Sequence, residues 1–113
     1  MTISVVLTDI NAGSIDEVVV EKPESKRCFS YVDNQGCNCE MCIYDKGICF
    51  FRESEDHLLE LHLRQNNYAK IISQEGEVKF AVKVVDFMAN NDILVMRYII
   101  EDQEREIEVI YRS

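Results

Sequence analysis

Cys37-Asn38-Cys39-Glu40-Met41-Cys42 is the most chemically pointed stretch of the chain. Thiolates hold zinc or copper(I) well, and a C-x-C-x-x-C spacing lets one loop wrap a soft ion. Cys28 or Cys49 could add a fourth ligand across a hairpin. In an extended strand, however, Cys37 and Cys39 share a face while Cys42 points to the other. Convergence therefore needs a bulge or a loop, which Gly36 could start. The bland alternative is a set of small apolar side chains in strands. Redox activity is not expected, because no helix N-terminus or clear basic neighbour lowers a thiol pKa.

The other reactive side chains are scattered. His57 and His62 are the only histidines, and five positions put them on opposite faces of a strand. Neither that geometry nor a helix makes a two-histidine metal site. His62 shares a face with Glu60, so the two could form a weak acid–base pair, the alternative being a solvated strand face. Arg97 lies among Val95, Met96, Tyr98 and Ile99. A charge there must reach water, an acid such as Glu106 or Glu108, or the carboxylate of a ligand. No serine has a base beside it in the sequence, and no Gly-rich phosphate loop or dinucleotide fingerprint is present. No nucleophile–base–orienter set can be assembled, so the chain is not expected to be an enzyme.

Strands must position these groups. Apolar runs recur about every 8–12 residues between turn residues, as in a sandwich or barrel. Ile3, Val5 and Leu7 alternate with polar neighbours, and Asn11-Ala12-Gly13-Ser14 breaks that run. Val18 and Val20 form a second, closed by Pro23. Phe29 and Tyr31 form a third, closed by Asp33-Asn34-Gln35-Gly36. Asn38 to Tyr44 and Ile48 to Arg52 flank Asp45-Lys46-Gly47, a tight hairpin with Gly free to take a positive φ. Tyr68 to Ser73 leads through Glu75-Gly76 into Val78, Phe80, Val82 and Val84, a period-two run. Ile93 to Ile100 is apolar on both faces, so it lies mid-sheet or under a partner, which makes a homodimer an expectation. Ile107, Val109 and Tyr111 close the chain. Ser54 to Gln65 is ambiguous: Ser54 could cap a helix, but Leu59, Leu61 and Leu63 alternate with polar residues. A helix would set Leu59 and Leu61 about 200° apart, so the spacing predicts a strand.

Length and charge bound the rest. The chain has 113 residues, the size of one domain, so residues 1–113 are expected to form a single β-barrel domain. Its net charge of −9 disfavours nucleic acid and anionic membranes, which both select clustered Lys and Arg. No stretch approaches the ~20 apolar residues of a membrane span. The short apolar start, Met1 to Asp9, lacks the basic region of a signal peptide. Five cysteines without a secretion signal argue for thiols in a reducing cytoplasm.

From about Glu40 onward the chain resembles the YwiB-like family of small bacterial proteins of unknown function. Three blocks carry the resemblance: Cys42 to Gly47 with Leu58 to Leu63; Tyr68-Ala69-Lys70-Ile71 leading through Glu75-Gly76-Glu77 into Val78 to Val84; and the closing hairpin Ile93 to Ile100 with Ile107 to Tyr111. The resemblance implies an all-β, antiparallel up-and-down calycin-like β-barrel of about eight to ten short strands. It carries over no catalytic residue. Such a barrel is filled by side chains or leaves room for one small ligand. The expected lining is Phe29, Tyr31, Phe80, Met96, Arg97, Tyr98 and Tyr111, and the expected occupant a small apolar or amphipathic ligand, with a protein partner as the other binding mode. No cofactor is expected, with zinc on Cys37, Cys39 and Cys42 as the alternative.

Overall fold

Short turns fix how each strand pairs with the next. In a computed structural model that describes residues 1–112, the chain forms β1 (Thr2–Asp9), β2 (Ser14–Val20), β3 (Cys28–Val32), β4 (Asn38–Tyr44), β5 (Gly47–Glu53), β6 (His57–Leu63), β7 (Tyr68–Ser73), β8 (Gly76–Ala89), β9 (Ile93–Ile100) and β10 (Gln103–Arg112). All the pairings with a resolved register are antiparallel. The all-β class expected from the turn spacing and the up-and-down order implied by the family resemblance are what the protein has, and no helix occurs among the described residues. The ambiguous Leu-rich segment is a strand: its alternating leucines cover a sheet face, which a helix would scatter.

The chain divides into two compact units, Met1–Pro23 with Lys83–Ser113, and Glu24–Val82. In the first, the order is β2-β1-β10-β9 followed by the C-terminal half of β8. Glu101 and Asp102, both at positive φ (48° and 64°), make the two-residue turn into β10, the backbone of a type I′ hairpin. In-register rows bury Val5, Val109 and Leu94, then Ile107 and Met96, on one face. The doubly apolar β9 is explained by its place between β10 and β8. Leu94, Met96 and Tyr98 are buried on one side, and Ile93, Val95 and Ile99 are half-buried on the other.

The second unit runs β8-β7-β6-β5-β4-β3, using the N-terminal half of β8. One row crosses all six strands on a single face: Phe29, Met41, Phe50, Leu61, Ala69 and Phe80. Phe29 and Met41 are sealed from solvent, and each such side chain contributes about 1.5–3 kcal/mol by leaving water. β3 is the edge, and its unpaired backbone is occupied locally. Glu24 Oε2 accepts from Ser30 N–H at 2.7 Å, and Ser25 Oγ accepts from Cys28 N–H at 2.9 Å. This blunts an edge that could otherwise recruit another strand.

Gly47 corrects one expectation. It is not among the residues with positive φ. Glycine is needed there because a Cβ would land on the carbonyl oxygen of Leu63 in the neighbouring strand.

Candidate functional site

The opposite face of the second unit carries its chemistry. Pairing across β3–β7 aligns Cys28, Cys42, Cys49, His62 and Tyr68 in one row. The next row on that face holds Ser30, Glu40, Phe51 and Glu60, and the one beyond it Val32, Asn38, Glu53 and Leu58. These last two rows frame a groove of about 570 Å³. Val32, Phe51 and Leu58 give it an apolar floor, while Ser30, Asn38, Glu40 and Glu53 supply polar groups. Volumes of this size suit small ligands.

In the thiol row, Cys28 and Cys42 are joined by a disulfide with Cα atoms 4.2 Å apart. This corrects the expectation of thiols throughout: the turn at Asp33–Cys37 brings two cysteines directly opposite each other. Cys49, buried, remains a thiol. Its Sγ lies 3.5 Å from His62 Nδ1, and His62 Nε2 lies 3.1 Å from Glu60 Oε1. The carboxylate can only accept, so Nε2 carries the proton and Nδ1 is left to accept from the thiol. Tyr68 stacks on the imidazole at 4.6 Å, and Phe51 of the groove meets its edge at 5.5 Å. Burial pushes the Cys49 thiol up, while Arg64 opposes this. The pair of His62 and Glu60 was legible from sequence; the thiol against it was not. His62 thus reaches Cys49 from the adjacent strand, a contact that spacing in the chain does not announce.

Cys37, Cys39 and Cys42 do not converge. Cys39 lies in the row of Tyr31 and Arg52, on the face opposite Cys42, and Cys42 is spent in the disulfide. Among the described residues no group of three acidic, histidine or cysteine side chains is arranged to hold a metal ion. Burial, then the charge of Asp33, pushes the Cys39 thiol up to about 12.

Asp33 organises the neighbouring turn. Its Oδ1 accepts from Gln35 N–H at 3.0 Å and Cys37 N–H at 2.9 Å, and its Oδ2 accepts from Arg52 Nε at 2.7 Å. Burial alone would raise this carboxyl, but the Arg52 hydrogen bond and the two amides outweigh it and hold the pKa below the usual range.

Ser54, Asp56 and His57 correct a further expectation, since this serine does have a base beside it. Ser54 Oγ and Asp56 Oδ1 each lie 2.8 Å from the same atom, His57 Nδ1, while Ser54 Oγ is 3.5 Å from Nε2, at the limit of hydrogen bonding. A relay needs the serine and the acid on different ring nitrogens, so the trio closes a turn instead.

The expected lining residues are split. Phe29, Tyr31 and Phe80 share one face of the second unit, with Phe29 packed solid. Met96, Tyr98 and Tyr111 share one face of the first, the first two buried. Arg97 cannot join them, because adjacent strand residues alternate faces. It pairs instead with Glu106 at 3.4 Å and Glu104 at 3.8 Å, the salt-bridge outcome weighed from sequence. Of the expected lining, Tyr31 also borders the groove, and the groove's other residues read as ordinary solvated strand positions.

No protein-family model matches the chain, and no curated protein matches it. Among solved structures, the chain is similar to the crystal structure of the ywiB protein from Bacillus subtilis. The identity is 13% and the TM-score 0.46, over 99% of this chain and 88% of that one.

Proposed function

We propose that the protein is a non-catalytic, cytoplasmic β-barrel binding protein for a small amphipathic ligand. The groove on β3–β6 carries the proposal. Val32, 58% exposed, together with Phe51 and Leu58, offers an apolar bed at the surface of a chain with charge −9. An exposed apolar cluster rimmed by polar groups is the usual form of a binding surface. The rim acids Glu40 and Glu53 favour a head group that is cationic or rich in hydrogen-bond donors. Three cysteines that remain thiols accord with a reducing compartment, and the Cys28–Cys42 disulfide is the feature that weighs against it.

Titration with the neutral apolar dye N-phenyl-1-naphthylamine tests the site. Saturable one-to-one binding is expected, displaced by a quaternary-ammonium amphiphile more readily than by a sulfonate of the same chain length. Phe51→Ala should weaken dye binding by about tenfold or more, as loss of a buried aromatic face costs about 1.5–3 kcal/mol. Dye binding that is unsaturable, or unchanged in Phe51→Ala, rejects the groove as the site.

A further inference from the structure

We infer that Cys28, Cys42 and Cys49 form a three-cysteine exchange site in which the disulfide moves between strands, with His62 as the base. The reasoning starts from register. Cys42 is the direct cross-strand neighbour of both Cys28 and Cys49, on three consecutive strands and one face, so it sits between the other two cysteines in one row across the sheet. Displacement at sulfur requires the incoming thiolate, the central sulfur and the leaving sulfur to be in line. Directly paired antiparallel residues have Cα atoms about 4.5–5.5 Å apart, within the span a disulfide tolerates, about 4.4–6.8 Å. Cys42 can therefore bond to either neighbour, one at a time.

The step balances without any external oxidant or reductant. His62 Nδ1, 3.5 Å from Cys49 Sγ, takes the thiol proton. The thiolate attacks Cys42 Sγ, the Cys42–Cys49 bond forms, the Cys28–Cys42 bond breaks, and Cys28 leaves as a thiolate. It then takes up one proton from solvent, and His62 returns one. Glu60, on the other ring nitrogen at 3.1 Å, stabilises the imidazolium while it lasts. The outcome is a transfer of reactivity. The buried thiol at Cys49 is replaced by an exposed one at Cys28, and edge strand β3 loses its covalent tie to β4. This exchange is independent of what the neighbouring groove binds.

Peptide mapping of protein alkylated without reductant tests the inference. Incubation of the wild-type protein with iodoacetamide should label Cys28 progressively while a Cys42–Cys49 bridge accumulates. The rate should not change on dilution, as an intramolecular step requires. His62→Gln should slow this labelling by about a hundredfold, the usual share of a general base, and Cys49→Ser should abolish it. A second arm does not depend on the buried positions tolerating change: Cys28→Ser, at an exposed site, should form the Cys42–Cys49 bridge on treatment with oxidised glutathione. The inference is overturned if Cys28 stays unlabelled, if Cys49→Ser labels at the wild-type rate, or if Cys28→Ser leaves Cys49 unbridged.

Discussion

The unit formed by Glu24–Val82 and the unit formed by Met1–Pro23 with Lys83–Ser113 use the same antiparallel scaffold and place their polar chemistry differently. In the latter, Arg97 pairs with Glu104 and Glu106, and Arg105 with Asp9, at 3.4–3.9 Å, with both arginine side chains 44% exposed. Solvent screens such pairs, and they contribute little. In the former lie all five cysteines and both histidines, together with the Asp33–Arg52 pair, whose side chains are only 7% and 23% exposed. The two units thus differ in what they hold: the thiols, the imidazoles and the most shielded ion pair all lie in the Glu24–Val82 unit.

The sharpest way to break this contrast is chemical. With its pKa near 12, the Cys39 thiol is ionised at pH 8 in about one molecule in ten thousand, against about a quarter for an ordinary cysteine. Labelling of Cys39 by a disulfide reagent should therefore be at least about a hundredfold slower than that of a small free thiol. Rapid labelling would mean that this face is open to water.

Mutational stability should follow the same division. Asp33→Ala removes the acceptor of two amides and one guanidinium, and chemical denaturation should show a loss of about 3 kcal/mol, the low end for breaking a shielded pair. The pH dependence has a definite sign. The folded-state pKa of Asp33 is depressed, so its contribution is complete above the unfolded value of about 3.9 and is lost as pH falls through the folded value. The wild-type and Asp33→Ala stability curves should converge below that range. Gly47→Ala should cost about 2–3 kcal/mol, the scale of a forced backbone overlap. Arg97→Ala, the control from the exposed side, should cost less than about 1 kcal/mol. If Arg97→Ala proves as damaging as Asp33→Ala, the contrast between the units fails.

Much of the scaffold is legible in the residues. Asn38–Tyr44, Tyr68–Ser73 and Ile93–Ile100 are strands over the same residues that the apolar runs between turn residues indicate. The two-residue turn Asp45-Lys46 also sets Cys42 opposite Cys49, since the numbers of paired residues on β4 and β5 share one sum. The site is less legible. The cysteine-rich stretch draws attention to Cys37 and Cys39 by proximity in the chain, yet alternation sends Cys39 to the face opposite Cys42. The partners of Cys49 and Asp33, His62 and Arg52, lie 13 and 19 positions away.

Alternation and turn chemistry by themselves determined that this chain would be strands, where most of them lie, and which residues in each strand share a side. Tertiary structure decided which sides of different strands are joined. It bridged Cys28 to Cys42, set His62 beside Cys49, enclosed Asp33 with Arg52, and set Arg97 against Glu104 and Glu106. The physical reason is register: sliding one strand by a single residue leaves its own pattern intact and exchanges every neighbour it meets.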